Sequence, residues 1–398
     1  MNHKNSLLLS QHKLFILKPP EKNCLFLSLV MIYIIQNKKF GYNLRGERWV
    51  ARSEIKYERV MIMKEYKIAV VGATGVVGEM MRNVLEEKKL PIKEYVFFAS
   101  AKSEGKKIKF MGKDYIVRKL DEKSFDEKFD FALFSAGGET SKKFSPIAAK
   151  KGCIVIDNSS AFRMEKQVPL VVPEVNPEDA KLHQGIIANP NCSTIQAVIP
   201  LKPLDDKYKI KRIVYSTYQA VSGAGLHGIN DLKNGINQYY NSEKYELEKF
   251  PHEIFNNCLP QIDVFLENGY TKEEEKMINE TRKILHKPEL KITATTVRVP
   301  VMNSHSESIN IEFEKEINIE EIKELLGKSK GIIVQDDIKN EIYPLATHAT
   351  GTDEVYVGRI RRDYSVNNGI NLWVVADNIR KGAATNAIQI MEYLIKEM

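Results

Sequence analysis

Cys192 stands where the chain would make a thiol reactive. It lies in Asn189-Pro190-Asn191-Cys192-Ser193-Thr194, and residues 195–204 continue as an apolar helical run. Asn191 or a neighbour is placed to cap that helix, so the thiol faces unpaired backbone N–H groups and the positive end of the helix dipole. Both favour thiolate, which predicts a lowered Cys192 pKa and a nucleophilic role. The competing reading is a buried structural cysteine, and position alone does not separate the two. Three further stretches offer partners. Residues 217–225 end a strand at Gln219 in a glycine-rich turn, residues 296–300 put Arg298 on a strand, and residues 303–307 open another strand with His305. A near-neutral imidazole suits general acid–base work, with a satisfied structural histidine as the alternative. No metal is expected, because His305 and Glu307 have no further His or Cys at ligand spacing.

These side chains need elements to hold them. Residues 67–71 read as an apolar strand, Gly72-Ala-Thr-Gly75-Val-Val-Gly78 as a turn, and residues 79–89 as a helix ending before Pro91. Glycines so spaced permit a tight turn, close approach to a pyrophosphate, and close helix–strand packing. The next strand, residues 95–99, ends about 20 residues past Gly78, where an NAD enzyme offers a carboxylate to the ribose. Here Ser100-Ala-Lys102-Ser103 stands instead. A cation and two hydroxyls suit a 2′-phosphate and favour NADP; a solvated turn is the alternative. Strands at 130–134 and 153–156 end in the polar stretches 135–138 and 157–160, the ends at which a doubly wound sheet places ligands. Beyond Cys192, strands at 212–218, 291–299, 308–313 and 371–375 and helices at 228–240, 271–285 and 319–326 suggest an α+β domain on a mixed sheet. The last helix, 381–398, is expected to return to the first domain. The fold class is therefore α/β: a Rossmann-like NADP-binding domain (63–191 and 376–398) and an α+β domain with a mixed sheet (192–375), which the resemblance described below implies to be catalytic and dimerising.

The chain's net charge of +7 is misleading. Residues 1–62 carry 11 Lys and Arg against 4 Asp and Glu, while the remaining 336 residues carry 48 of each sign. Neither a nucleic-acid nor a membrane partner follows from that balance. Four scattered cysteines without a CxxC pair fit a reducing cytoplasm and argue against a structural zinc site. In the extension, the apolar run 24–35 has 12 residues, too short to span a bilayer, and no small-residue cleavage site follows it. Residues 1–62 are accordingly expected to lie outside the native enzyme, with Met61 or Met63 as the true start.

With those residues in view, the chain from Lys67 onward resembles the bacterial aspartate-semialdehyde dehydrogenases. The resemblance rests on GATGVVG (72–78), SSAFR (159–163), VVPEVN (171–176), NPNCST (189–194), STYQAVSGAG (216–225), LPQID (259–263), VRVPV (297–301), HSES (305–308) and VGRIR (357–361). It implies reversible, NADPH-dependent reduction of L-4-aspartyl phosphate to L-aspartate 4-semialdehyde and phosphate, on the way to lysine, diaminopimelate, threonine, methionine and isoleucine. It also implies a cytoplasmic homodimer or dimer of dimers. Cys192 would form a thioester, His305 would move the proton, and Gln219 would orient the acyl group. Arg298 would clamp the α-carboxylate and Glu273 hold the α-ammonium, with Arg163, Asn191 and Lys276 on the phosphate. Gly72, Thr74, Gly75, Val76, Val77, Gly78, Ser100, Lys102, Ser103, Ser222, Gly223 and Asn378 match cofactor-contacting positions, although Lys102 replaces a common arginine. A sister enzyme, N-acetyl-γ-glutamyl-phosphate reductase, shares the chemistry, but its cysteine typically follows a glycine. A catalytically silent NADP-binding regulator is the rival from another class; the joint presence of Cys192, Gln219, Arg298 and His305 argues against it.

Overall fold

Continuous apolar runs build the first of two large sheets. The computed structural model describes residues 64–242 and 244–397, so the expectations for residues 1–62 fall outside it. In chain order the first half runs β1 (Tyr66–Val71), α1 (Val76–Lys88), β2 (Ile92–Ala99), a small hairpin β3 (Lys107–Phe110) and β4 (Lys113–Ile116), β5 (Arg118–Lys119), β6 (Phe131–Phe134), α2 (Gly138–Lys150), β7 (Ile154–Asp157) and β8 (Ile186–Ala188). Strands β5-β2-β1-β6-β7-β8 form a six-stranded, wholly parallel sheet in that order. Every residue of β6 is buried, as a parallel sheet covered on both faces requires. Helix α1 begins at Val76, earlier than the sequence suggests, and buries Gly78, Met81, Val84 and Leu85 along one stripe. Two glycines make that seam possible. A Cβ on Gly78 would lie 2.1 Å from the Gly72 carbonyl oxygen, and Gly72 itself has φ +84° with Ser135 O 2.4 Å from where its Cβ would stand.

The second half runs α3 (Cys192–Tyr208), β9 (Ile210–Gln219), α4 (Gly225–Asn241), α5 (Lys272–Ile284), β10 (Lys291–Arg298), β11 (His305–Phe313), α6 (Ile319–Lys328), β12 (Ile332–Val334), α7 (Ala346–Ala349), β13 (Val355–Asp363), β14 (Gly369–Ala376), a π-helical turn (Arg380–Thr385) and α8 (Asn386–Glu397). Its sheet, ordered β10-β9-β11-β14-β13-β12, is mixed: β9 runs parallel to β10 and antiparallel to β11, and β12 parallel to β13. The expected pairing of a parallel sheet with a mixed one holds. Strand β13 is not among the expected strands, whereas β11 opens at His305, as residues 303–307 suggest, and joins them to the 308–313 run, its first residues pairing with both β9 and β14. Helix α3 is buried along residues 193–201 and shares a core with Ile309, Ile311 and Leu372 of the second sheet. The final helix returns as expected, placing Ile388, Met391 and Leu394 among the β1 and α1 side chains. Its first turn is π-helical rather than α-helical, and there Lys381 is wholly buried, its Nζ 2.8 Å from Glu174 and 2.7 Å from the Gln389 side-chain oxygen.

Strict alternation in β11 puts His305, Glu307, Ile309, Ile311 and Phe313 on one buried face. Glu307 is thereby carried into the core with neither carboxyl oxygen hydrogen-bonded among the described residues. Burial raises its pKa well above the usual carboxylate range; the neighbouring Gln196 amide pulls the other way without offsetting it, and the Glu273 charge adds to the rise. The group is therefore protonated in the fold. Its stabilising contribution is complete below the unfolded-state value and declines as pH rises towards the folded one. Glu307→Gln, which cannot ionise, should gain stability relative to wild type as pH rises above the unfolded-state carboxylate value. Urea unfolding of the two proteins over that rise in pH checks the sign; a difference that does not change with pH would contradict a protonated Glu307.

Candidate active site

A cavity of about 1050 Å³ runs from the α1 N-terminus to the α3 N-terminus, and strands from both sheets end at it. Asn191 builds the nucleophile's corner. Its side-chain oxygen accepts the N–H groups of Ser193 and Thr194, so it caps α3 as anticipated. Its side-chain nitrogen donates to Glu273 Oε1 at 2.9 Å, and its backbone N–H donates to Glu280 Oε2 at 2.6 Å. Cys192 follows at the cavity surface. One expectation fails here. The Cys192 pKa is pushed up to about 12, not down, chiefly because protein surrounds the thiol and secondly because the Glu273 anion lies near; Arg298, Arg163 and the Ser193 N–H pull the other way but are outweighed.

Arg298 ends β10 and His305 opens β11, both on strands flanking β9, so pairing register brings them beside Gln219. Gln219 donates to Glu273 Oε1 at 3.1 Å and accepts from Thr217 Oγ1 at 3.0 Å, which fixes its amide. Arg298 Nη1 donates to the Ala220 carbonyl at 2.7 Å, while its buried Nε has no protein partner among the described residues. His305 Nδ1 accepts the Ala220 N–H at 3.0 Å. The neutral ring therefore carries its proton on Nε2, which is buried and has no partner among the described residues. Burial and then the Arg298 charge bring the His305 pKa down to about 3, so the ring rests neutral.

Helix α5 contributes the acidic wall. Thr271 and Glu274 form a reciprocal capping box that sets where the helix begins. Glu273 and Lys276 both face the cavity and pair at 3.1 Å, and Lys276 also reaches Asp263 at 2.8 Å. Burial alone would raise the Glu273 pKa. Lys276 and the hydrogen bonds from Asn191 and Gln219 overcome it and hold the group at about 2. Arg163 lines the same cavity, with Nε on the Ser159 carbonyl, Nη2 on the Asn158 carbonyl and Nη1 on Glu280 at 3.0 Å. Glu280 escaped the sequence reading, although its place seven residues after Glu273, two turns on along the same helix face, was a usable signal.

At the other end, the residues present fit a dinucleotide. Gly75 caps α1 with no side-chain hydrogen bond, leaving N–H groups of the first turn open to an anion, and the Gly72–Gly78 seam leaves no room for a Cβ there. Gly75, Val76 and Val77 line the cavity, as do Ser222, Gly223 and Asn378. Ser222 and Asn378 hydrogen-bond to each other, and Asn378 accepts the Ser304 N–H at 2.9 Å. Thr74 donates to the buried Ser103 hydroxyl at 3.3 Å. Ser100 and Lys102 are exposed and lie outside the cavity wall, just past β2. Among the described residues no group of three or more His, Cys, Asp and Glu could hold a metal, and no helix is long and apolar enough to cross a membrane.

Two family profiles match the chain. Residues 67–183 fit the semialdehyde dehydrogenase NAD binding domain and residues 201–381 the semialdehyde dehydrogenase dimerisation domain. Fold and cavity thus define a semialdehyde dehydrogenase. The aspartate-semialdehyde dehydrogenase of Aquifex aeolicus is 57% identical over 335 residues, covering 83% of this chain and 98% of that protein. Among solved structures, aspartate semialdehyde dehydrogenase II from Vibrio cholerae complexed with ASA has a TM-score of 0.81 at 47% identity, covering 84% of this chain and 99% of the other. An aspartate semialdehyde dehydrogenase with NADP from Candida albicans has a TM-score of 0.65 at 26% identity, with coverage of 83% and 98%. The chain belongs to the aspartate-semialdehyde dehydrogenase family, as its motifs suggested.

Two glycines press on the reactive groups. A Cβ on Gly223 would lie 3.0 Å from Arg298 Nη1 and 3.1 Å from the His305 ring, and one on Gly382 would lie 2.8 Å from the Cys192 Cβ and 3.2 Å from its Cα. No sequence signal marked Gly382. Because backbone and Cβ on the Cys192 side cannot retreat cheaply, Gly382→Ala should destabilise by about 1–3 kcal/mol and lower turnover more than tenfold. Thermal melts with steady-state rates test this, and wild-type turnover in the variant would show that the packing does not set the thiol's position.

Proposed function

We propose that this chain catalyses the reversible, NADPH-dependent reduction of L-4-aspartyl phosphate to L-aspartate 4-semialdehyde and phosphate, as a cytoplasmic homodimer or dimer of dimers in amino-acid biosynthesis. Residues 63–191 with 376–398 serve as its nucleotide-binding part and 192–375 as its catalytic and dimerisation part. The observation that carries the substrate assignment is a buried carboxylate, Glu273, held ionised in the same cavity as the Arg298 guanidinium. A substrate bearing both an α-ammonium and an α-carboxylate is matched by that pair; an acetylated nitrogen has no charge to offer Glu273.

In the reductive direction Cys192 Sγ attacks the acyl carbon, the S–C bond forms, and the C–O bond to phosphate breaks as the thiol proton passes to the departing phosphate, giving a thioester and hydrogen phosphate. Arg163, Asn191 and Lys276 receive the departing phosphate. NADPH, when bound, supplies the hydride for the thioester carbonyl. The S–C bond of the resulting thiohemiacetal then breaks, releasing the aldehyde and restoring the thiol. The oxygen that carries negative charge at each addition is met by the His305 Nε2–H and the backbone N–H of Cys192 itself, since those of Ser193 and Thr194 are spent on the Asn191 side chain. A resting neutral His305 acts as such a donor. Imidazolium is opposed by burial first and the Arg298 charge second, and Nδ1 is already occupied by the Ala220 N–H, so the ring serves through its Nε2–H. Gln219, pinned between Thr217 and Glu273, orients the acyl group. Thr74 to Val77, Ser103, Ser222, Gly223 and Asn378 hold the cofactor, with Ser100 and Lys102 reaching its 2′-phosphate.

The test is phosphate-dependent NADP reduction with L-aspartate semialdehyde and, in parallel, with N-acetylglutamate semialdehyde. Aspartate semialdehyde should be strongly preferred. Cys192→Ser should lose most turnover while still binding NADP, because a serine hydroxyl stays protonated and a poor nucleophile. Glu273→Gln should cost about 1.5–3 kcal/mol in kcat/KM for aspartate semialdehyde, the range of a lost charge-assisted hydrogen bond. Preference for the acetylated substrate would overturn the assignment, and near-wild-type turnover of Cys192→Ser would overturn the thioester.

A further inference from the structure

Glu280 has no part in the chemistry described so far, yet it is built into the site as firmly as any residue there. Only 1% exposed, it spends both carboxyl oxygens: Oε1 on Arg163 Nη1 at 3.0 Å and Oε2 on the Asn191 backbone N–H at 2.6 Å. Those two donors come from stretches 28 residues apart in sequence, one expected to hold phosphate and one that caps the nucleophile's helix. Resting on the phosphate assignment above, we propose that Glu280 is a positioning residue: it fixes the Arg163 guanidinium relative to the Cys192 helix, so that the anion site and the nucleophile form one rigid unit.

Three features support this. A guanidinium has five N–H donors, and Arg163 commits three, to the Ser159 and Asn158 carbonyls and to Glu280. The rest stay available in a plane that those bonds set. Secondly, the loop that carries Arg163 has an anchor of its own: Lys283, three residues further along α5, donates to the carbonyls of Arg163, Glu165 and Val168 at 2.7–2.8 Å. Glu280 is therefore not needed to keep the loop in place. What it adds is the angle of the guanidinium and its link to Asn191. Thirdly, α5 grips Asn191 from two sides, through Glu273 on its side chain and Glu280 on its backbone.

A carboxylate can accept from both partners at once; an amide cannot, since one of its two ends is itself a donor. Glu280→Gln must therefore release either Arg163 or Asn191. Its KM for phosphate should rise on the order of tenfold, while the KM for aspartate semialdehyde, which Arg298 and Glu273 hold, should stay within about twofold. In an Arg163→Ala background the same substitution should change kcat/KM for phosphate far less, because part of what Glu280 acts through is already gone. Equal rises in both KM values, an unchanged phosphate KM, or full additivity with Arg163→Ala would overturn the proposal. If Glu280→Gln does not fold, Glu280→Asp serves instead: it keeps the charge but is a methylene too short to reach both donors, and the same KM split is expected. Wild-type protein without phosphate-dependent NADP reduction would remove the underlying assignment as well, whereas an active wild type with an indifferent Glu280 would remove only this role.

Discussion

Asn191 is the joint on which the site depends. A short residue with one acceptor and two donors on its side chain, plus its own backbone N–H, it ends a loop, starts α3 and meets two carboxylates of α5. The consequence is geometric. Helix α3 is buried along most of its length and cannot shift without disturbing the second core, so whatever is tied to its first residue inherits that rigidity. Glu273 is tied to it directly and Gln219 through Glu273, and Arg298 and His305 follow because their strands flank the one that ends at Gln219. The floor of the cavity is thus organised by backbone pairing and the walls by hydrogen bonds to one capping side chain.

The charges in this frame are arranged by sign and not only by place. Glu273 is held ionised and Lys276 protonated, while Cys192 and His305 both rest neutral. Groups that recognise a ligand are therefore charged in advance, and groups that react with it are not. A thiol at the cavity wall with a raised pKa is less open to stray electrophiles and oxidants than a thiolate there, since the thiolate is the reactive form. The local field changes when substrate charges meet Glu273 and Arg298, because the charges of those two residues act on both the thiol and the imidazole.

Much of this was legible in the sequence because local rules govern it. The glycine turn, the capped helix at Cys192, the parallel sheet before it and the mixed sheet after it all follow from short-range pattern, and family motifs placed Arg298, His305 and Gln219. Three things were not legible. The Cys192 pKa was misjudged because a helix dipole can be read from the sequence whereas the protein packed around the thiol cannot. Glu280 lies in Lys272–Ile284, whose many charges suggest a solvated face; its spacing from Glu273 puts the two on one face, but only the fold shows that Glu273, Glu274 and Glu280 are all buried. The π-helical turn at Arg380–Thr385 was read as plain helix, because what shapes it is a buried ion pair between Lys381 and Glu174, more than two hundred residues apart.

That turn has a consequence in the order of synthesis. Gly382, which closes the backbone side of Cys192, follows it by 190 residues, and the helix after it completes the core beneath β1. A growing chain exposes Cys192 nearly two hundred residues before the segment that confines it. The site is finished only when the C-terminal helix has left the ribosome and docked on the first sheet, so any partly made chain carries the nucleophile without the wall that positions it.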